Sequence, residues 1–390
     1  MIDYISGNAP RFVALRREIH AHPELAFEEK RTADLVAQTL ASMGIECHRG
    51  LAGTGVVGVL RAGASPRAIG LRADMDALPM QEQNAFPHRS RLAGRMHACG
   101  HDGHTAMLLA AADYLAHTRR FEGTVYLIFQ PAEEGEGGAR RMMEHGLFEQ
   151  FPMQAVFGLH NWPALPVGQF GVMAGPVMAA ADQFDIRVRG QGAHAAMPHQ
   201  GTDAIVAASA LVQSLQTIAS RTLDPLDAAV ISVTRFQAGD AYNVIPEEAL
   251  LAGTVRTFRP AVQQTAVAAI ERICEGIGKS FGVNAALDYQ RGYPSVVNSP
   301  EETHACRAVA ASVVGERNVR SDLRPSMGAE DFAFMLQAKP GCYVVLGSGH
   351  GGADAMLHNP RYDFNDEILP IGAAYWARLV EHWLPPAPAR

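Results

Sequence analysis

The pattern of apolar residues changes character once along this chain, near Ala181, and that change limits which folds are possible. Before this point, short apolar runs alternate with helical segments: residues 55–60, 68–72, 123–130 and 154–159 are predicted as strands, and 28–43, 104–117 and 138–145 as helices. Buried strands that alternate with helices are typical of a layered α/β domain with a mainly parallel sheet.

The segment after Ala181 has a different order of predicted elements: a strand, a helix, two strands, a helix and a strand, at 183–190, 203–220, 228–236, 249–258, 261–281 and 284–291. This β-α-β-β-α-β order is the ferredoxin-like unit, and about 110 residues suffice for a separate domain. Helical patterns then resume at 301–314 and 366–383, with a strand at 341–346. We therefore predict an α/β fold in which residues 1–181 and 295–390 form a discontinuous domain with a mainly parallel sheet, and residues 182–294 form an inserted ferredoxin-like domain.

Composition and charge exclude several classes of function. The 390 residues are 48% hydrophobic and 19% charged, with a net charge of −7 and no basic block, which argues against a nucleic acid or an anionic membrane as the partner. No apolar run approaches the length of about 18 residues that spans a bilayer. The five scattered cysteines do not suggest a disulfide framework, and residues 1–10 do not resemble a secretory signal. We therefore expect a cytoplasmic protein.

The densest group of polar residues is the run MHACGHDGH at 96–104. Cys99 and His101 are two residues apart and could place a thiolate and an imidazole on one metal ion of the zinc type. The alternative is a histidine-rich loop with one buried thiol. Three histidines and a cysteine in so short a run favour the metal site.

Two adjacent carboxylates, Glu133 and Glu134, follow an apolar strand in the run QPAEEG. The carboxyl ends of strands are where α/β sheets place their active sites. Because neighbouring side chains in extended backbone point in different directions, one carboxylate could bind a metal while the other faces a substrate. The alternative is an ordinary acidic turn.

Further candidates also lie where predicted strands end. His160 stands in LHNW and His358 in LHNPR, although a single histidine is more often structural. Asp74 and Asp76, in LRADMDALP, share one face of a strand. They could bind a metal directly, or accept a hydrogen bond from a metal-binding imidazole and so fix its tautomer.

The inserted segment contributes three candidates: His194 in the glycine-rich run GQGAHAAMPH, Asn243 in YNVIP, and Arg256 in GTVRT. Arg256 lies within a predicted strand among apolar residues. A salt bridge on the solvent face is an equally good interpretation of such an arginine.

Taken together, the motifs resemble those of the metal-dependent aminoacylase and carboxypeptidase superfamily. The similarity is greatest to its branch of hippurate hydrolases, N-acyl-amino-acid amidohydrolases and auxin-conjugate hydrolases. The motifs follow the order of that branch over nearly the whole chain: LRADMDALP, MHACGHDGHTA, FQPAEEG, GLHNWP, GQGAHAAMP, NVIPEEALLAGTVRTF, MGAEDFAFM and HNPRYDFND.

The resemblance implies a site for two divalent metal ions, manganese or zinc in the first place and cobalt or nickel as alternatives. The implied ligands are Cys99, His101, Glu134, His160 and His358. It further implies that Glu133 is the catalytic carboxylate and that the inserted domain is a lid that mediates a homodimer or a higher oligomer. In many relatives the histidine in the position of His194 reaches the active site of the partner subunit, and Asn243 and Arg256 would hold the carboxylate of the substrate.

The chain departs from the wider superfamily in one motif. The carboxypeptidase branches use His-x-Asp and a bridging aspartate, whereas this chain has Asp74-Met-Asp76, with Cys99 and His101 where the bridging acid is expected. The hippurate hydrolase branch shares this exchange, so it does not indicate a loss of activity. A thiolate ligand does favour softer ions.

The predicted function is hydrolysis of the amide bond of a small N-acyl amino acid, with an acetyl, benzoyl or aryl-acyl group. No G-x-S-x-G motif supports a serine hydrolase. A dipeptidase or carboxypeptidase, and a non-catalytic protein that holds metal, are the alternatives. Glu133 argues against the last of these, because a protein that only binds has no need of that carboxylate.

Overall fold

The computed structural model describes residues 1–349 and 356–386. Contacts between Cα atoms divide the chain into two compact units. The first comprises the residues up to Val177, Val297–Arg324 and the described residues from Asp331 onward, and the second comprises Met178–Val296 and Pro325–Glu330. The sequence pattern did not predict that Pro325–Glu330 joins the second unit.

The helices and strands fall into three stretches of the chain. Up to residue 178 they are α1 (Ile2–Ala21), α2 (Lys30–Ser42), β1 (Glu46–Leu51), β2 (Gly55–Ala62), β3 (Ala68–Asp74), α3 (His101–Thr118), β4 (Gly123–Gln130), α4 (Gly138–Glu144), α5 (Leu147–Gln150), β5 (Ala155–Pro166), β6 (Phe170–Gly171) and β7 (Gly175–Met178). The next are β8 (Ala180–Arg189), β9 (Ala193–His194), α6 (Ala204–Thr217), β10 (Ala229–Ala238), β11 (Val244–Ile245), β12 (Glu248–Thr257), α7 (Pro260–Phe281) and β13 (Asn284–Tyr293). The last are β14 (Val296–Asn298), α8 (Pro300–Val314), β15 (Val319–Arg320), α9 (Ala333–Ala338), β16 (Gly341–Gly349) and α10 (Leu369–Trp383).

Within these described residues, no helix combines the length and the apolar character that crossing a membrane would need.

The first unit is built on an eight-stranded sheet in the order β1-β2-β4-β3-β5-β16-β6-β15. Its centre is parallel: β3 pairs with β4 and β5, and β16 pairs with β5. The antiparallel pairs lie towards the edges, as with β1 on β2 and β6 on β16. Since the central strands run in one direction, the carboxyl ends of β3, β4, β5 and β16 meet at one edge of the sheet.

The sequence pattern predicted the central elements of this unit but missed or shortened others. It did not predict α1, whose helical periodicity is interrupted by Gly7 and Pro10. It placed the start of α3 at residue 104, whereas the helix begins at His101. It also ended β5 at residue 159, but β5 continues to Pro166 because β16 pairs with it along that length.

The second unit contains a four-stranded antiparallel sheet in the order β10-β12-β8-β13. On β8 the buried residues alternate with exposed ones, and Phe184, Ile186 and Val188 join α6 and α7 in one apolar core. The side chain of Asp203 caps α6 by accepting hydrogen bonds from the backbone N–H groups of Ile205 and Val206. The β-α-β-β-α-β connectivity and this strand order are those of the ferredoxin-like arrangement.

Candidate metal centre

The candidate site of the first unit is assembled where the central strands end. Cys99 lies two residues before α3 and His101 is the first residue of that helix, while His160 lies within β5. Gly100, between the first two, has a φ of 95°. A Cβ atom there would lie 2.3 Å from Oδ1 of Asn161, so only glycine allows this turn.

The structure brings all five predicted metal ligands together. In three groups the ligand atoms lie within 4.8 Å of one another: Cys99 with His101 and His160, Cys99 with Glu134 and His358, and His101 with Glu133 and Glu134. Sγ of Cys99 lies 3.4 Å from Nε2 of His160, and Nε2 of His358 lies 3.1 Å from Oε1 of Glu134. Cys99 is shared by the first two groups, so its thiolate could contact two ions.

Asp76 connects two of these residues. Its Oδ1 lies 3.2 Å from Nδ1 of His101, and its Oδ2 accepts a hydrogen bond of 2.9 Å from the backbone N–H of Glu134. With Nδ1 occupied in this way, Nε2 of His101 faces the group, where it is buried and has no hydrogen-bond partner among the described residues. An imidazole nitrogen without a hydrogen-bond partner, placed among a thiol and carboxylates, fits a ligand to a metal ion.

Asp74 is wholly buried and lies among the basic side chains of Arg72, His101 and His104. Nη1 of Arg72 donates to it over 2.7 Å, and Nδ1 of His104 lies 2.6 Å from it. Burial opposes the ionised form of Asp74, but His101, Arg72 and His104 outweigh burial and hold the pKa of this carboxyl well below its ordinary value. Asp74 is therefore an ionised partner of His101 and His104.

His104 is a residue of this site that the sequence prediction did not include. Its ligand atom lies within 4.8 Å of those of Asp74 and His101, and its Nε2 lies 2.7 Å from Oδ1 of Asn161. Nδ2 of Asn161 in turn donates to the hydroxyl of Tyr362 over 2.7 Å. The signal was the i, i+3 spacing of His101 and His104, which places both on one face of α3.

The electrostatic surroundings shift the pKa values of three residues of the group. Burial raises the pKa of the Cys99 thiol well above its ordinary value, and Glu134, Glu133 and Asp74 raise it further. Burial would lower the pKa of His101, but Asp74, Asp76 and Glu134 raise it to about 10. The pKa of His160 is held well below its ordinary value by burial and by His104. A bound divalent ion would convert Cys99 to a thiolate and His101 to a neutral ligand, so the donor set fits a metal.

Glu133 is buried, and a backbone N–H group holds its carboxylate in place. The backbone N–H of Asp331 donates to its Oε1 over 3.3 Å. The carboxylate of Asp331 is itself fixed by Nη2 of Arg72 at 3.1 Å and by the N–H of Ala139 at 2.8 Å. The sequence prediction did not single out Asp331, because its partners are contributed by three distant segments.

The three candidates of the inserted segment lie in the second unit. Strand β9 pairs with β11, and the N–H of Ala195 donates to the carbonyl of Asn243 over 3.0 Å, so the structure brings His194 and Asn243 together. His194 is exposed, and its Nδ1 accepts a hydrogen bond from the N–H of Ala196, which leaves Nε2 to the outside.

Arg256 lies in β12 between Ala181 and Val230 and is half-buried. Its pKa is lowered by burial, against the effect of Asp182. The salt bridge considered as the alternative for this arginine is not found among the residues that the structure describes.

Thiol, imidazole and carboxylate groups gathered at the carboxyl ends of parallel strands, with a second carboxylate beside them, are the arrangement of a metal-dependent hydrolase. The sequence model of Peptidase family M20/M25/M40 matches residues 70–382, and the chain belongs to that family.

Individual relatives extend over almost the whole chain. It is 43% identical to the hippurate hydrolase of Campylobacter jejuni over 96% of each protein, and 39% identical to the N-acetylcysteine deacetylase of Bacillus subtilis over 95% of this chain and 96% of that protein. The crystal structure of the YXEP protein of Bacillus subtilis, described as a dinuclear metal binding peptidase from the M20 family, superposes with a TM-score of 0.85 at 36% identity. That match covers 97% of this chain and 99% of that one.

Proposed function

We propose that this protein is a two-metal hydrolase that cleaves the amide bond of N-acyl amino acids and releases a carboxylate and a free amino acid. The observation that carries the proposal is that five ligand-type side chains and the carboxylate of Glu133 form three overlapping groups. The names of the relatives from Campylobacter jejuni and Bacillus subtilis support the substrate class.

In this proposal the ligands are Cys99, His101, Glu134, His160 and His358. Two divalent ions held there would lower the pKa of a bound water and polarise the scissile carbonyl. Thiolate and imidazole suit manganese less well than zinc, cobalt or nickel, while the carboxylates suit manganese. We therefore propose manganese or zinc, with cobalt or nickel as alternatives, and metal analysis of the purified protein decides among them.

Glu133 acts as the proton carrier. Its carboxylate takes a proton from the attacking water and delivers it to the departing amine, which otherwise leaves poorly. The hydrogen bond from the N–H of Asp331 fixes one oxygen of Glu133 in place. The network of Arg72 and Asp331 thus holds the proton carrier in one orientation.

We further propose that the second unit supplies the remaining contacts. The exposed Nε2 of His194 would stabilise the oxyanion of the tetrahedral intermediate, and Asn243 and Arg256 would bind the carboxylate of the amino acid. The absence of an ion pair on Arg256 among the described residues supports its availability to an anion.

We propose a homodimer formed through the second unit, with His194 acting in the site of the partner. The support is a set of exposed apolar side chains on this unit, together with the outer edge of β10: Ile205, Val206, Phe236, Tyr242 and Val244. His194→Ala and Glu133→Gln should each be inactive, but a mixture should recover up to about a quarter of the wild-type activity, because each mixed dimer has one intact site. Recovery near zero, with subunit exchange shown independently, would contradict action across the dimer.

The experiment that tests the function is a substrate panel. Purified protein with added manganese, zinc, cobalt or nickel is offered N-acetyl, N-benzoyl and indole-acetyl amino acids, and dipeptides as the competing class. We expect release of the free amino acid from at least one acyl series and its loss on chelation. Turnover of dipeptides alone would favour a dipeptidase, and metal binding without any turnover would favour a non-catalytic protein.

We also propose that the protein works in a cytoplasmic, reducing compartment. The support is that all five cysteines are free thiols, four of them buried.

A further inference from the structure

Glu29 is a buried carboxylate that the proposed mechanism does not use. It precedes the first residue of α2, and its side chain is fully buried. Its Oε2 accepts a hydrogen bond of 2.6 Å from the hydroxyl of Thr54, and its Oε1 accepts one of 2.9 Å from the backbone N–H of Ala132. No ion pair found among residues 1–349 and 356–386 includes Glu29.

Burying an ionised carboxylate without an ionic partner costs free energy, which hydrogen bonds must offset. Burial raises the pKa of Glu29 to about 7, and the hydrogen bond from Thr54 only partly opposes this. Glu29 does not cap α2 with its side chain. The first turn of that helix is capped by Glu24, which accepts hydrogen bonds from the N–H groups of Arg31 and Thr32.

The Ala132 N–H that donates to Glu29 lies at a strained point of the backbone. Ala132 has a φ of 56°, in the left-handed region that non-glycine residues rarely adopt, and it is completely buried. Its carbonyl accepts a hydrogen bond from Gly138, where a Cβ atom would lie 1.7 Å from the carbonyl oxygen of Pro131. Such a conformation persists only where the surroundings fix it from several sides.

The strained residue stands directly before Glu133 and Glu134. The direction of the backbone at Ala132 therefore sets where both carboxylates point. The far end of this loop is held by the carboxylate of Asp331 on the N–H of Ala139. Glu29 and Asp331 thus hold the loop at its two ends.

We propose that Glu29 is a positioning residue that fixes Ala132 in its left-handed conformation and thereby aims Glu133 at the substrate. This rests on the proposed function in that Glu133 is taken as the proton carrier. Glu29 touches neither substrate nor metal ligand and acts through the backbone of Ala132.

The test compares Glu29→Ala, Glu29→Asp and Glu29→Gln with Glu24→Ala as the matched control, which weakens the start of α2 without contact to Ala132. At saturating metal and substrate, we expect kcat to fall about 10- to 100-fold in Glu29→Ala, with little change in KM. Gln keeps an acceptor for the N–H of Ala132 and should restore most of kcat. Aspartate retains the charge but is one methylene too short to reach Ala132, so kcat of Glu29→Asp should fall as in the alanine variant. If Glu29→Ala does not fold, Glu29→Asp tests the role of Glu29 in its place.

A second readout does not depend on turnover. Hydrogen exchange of the Ala132 amide should accelerate in Glu29→Ala and Glu29→Asp but not in Glu24→Ala. If the wild type hydrolyses no acyl amino acid, the proposed function fails, and amide exchange still decides the role of Glu29. Unchanged kcat and unchanged exchange in a folded Glu29→Asp, or an equal loss in Glu24→Ala, would overturn the proposal.

Discussion

Glu133 and Glu134 are neighbours in sequence, yet the structure gives their side chains different partners. Glu133 is buried and accepts a hydrogen bond from the N–H of Asp331, whereas Glu134 is less buried and its carboxylate faces His358. The separation follows from the backbone turn at Ala132. Two adjacent acids can therefore serve as a proton carrier and as a metal ligand.

Replacing Glu133 by glutamine should abolish turnover and leave the metal content unchanged. Glutamine preserves the shape and the acceptor for Asp331 but cannot carry the proton, so a loss of about 10²–10⁴ in kcat is expected. Elemental analysis and kcat are measured together, with Glu136→Gln, an exposed acid of the same loop, as the control. Loss of metal from Glu133→Gln would move Glu133 into the ligand set.

Alkylation of Cys99 should depend on the metal. Bound ions occupy the thiolate and shield it, so labelling should be slow in the metal-loaded protein and faster once a chelator has been added. Cys47, a half-buried thiol in β1, is the internal control, since it should label at the same rate in both states. Peptide mapping separates the two, and equal labelling of Cys99 in both states would make it an ordinary core thiol.

His20 should make stability depend on pH. Burial opposes its charged form, but Asp102 and Glu82 raise its pKa to about 9, above the value of 6.5 expected in the unfolded chain. Since the folded pKa is the higher one, this stabilisation is complete below about pH 6.5 and is lost as the pH rises through about 9.

The difference in unfolding free energy between the wild type and His20→Gln should therefore fall by up to about 3 kcal/mol between pH 6 and pH 9. Denaturant unfolding of the metal-free proteins measures it, with the exposed His304→Gln as the control. A difference that grows with pH would show that His20 is neutral in the folded protein.

Among the elements of the fold, the segment that follows β3 organises the site, because it carries Asp76. This residue holds the ring of His101 and the backbone of Glu134, which come from α3 and from the loop after β4. An asparagine would keep one acceptor, but its amide group would face the N–H of Glu134, and two donors would then oppose each other. One residue thus couples two of the proposed ligands, which come from different segments.

Asp76→Asn should weaken metal binding about 10- to 100-fold, as is usual when the partner of a metal-binding histidine is changed. Competition with a chromophoric chelator gives the affinity. Asp113→Asn, which removes the charge that faces Arg11 and keeps an acceptor for Tyr4, should bind metal as the wild type does. Equal affinities in all three proteins would show that Asp76 does not orient His101.

Sequence periodicity predicted those elements whose burial is decided locally. The apolar runs of β3 and β4 and the alternating pattern of β8 gave the sheets of both units. Periodicity failed where tertiary contacts determine which residues are buried. An example is α1, which carries the buried polar residues Arg16 and His20. The partners of Arg16 are Asp102, Asp363 and Asp366, which no local pattern reveals.

The candidate site shows the same division. Motif spacing and the family resemblance pointed to the ligand residues, because Cys99 and His101 are close in sequence and the acids follow a strand. His104, Asp331 and Glu29 were missed, since each acts through partners between 25 and 259 residues away that only the folded chain brings near.

The two units of the molecule carry different parts of the proposed machinery: the first carries the proposed ligands and Glu133, and the second carries His194, Asn243 and Arg256. The proposed dimer is what would combine them. The central claim concerns the first unit alone, namely that hydrolysis of an acyl amino acid depends on metal bound by this group.

The most direct test is a titration of the metal-free protein with manganese or zinc while the release of glycine from benzoylglycine, or of the amino acid from the best substrate of the panel, is followed. We expect no turnover without metal, and a rise in turnover that reaches its plateau at about two ions per chain. Undiminished hydrolysis by protein shown to contain essentially no metal would contradict this expectation.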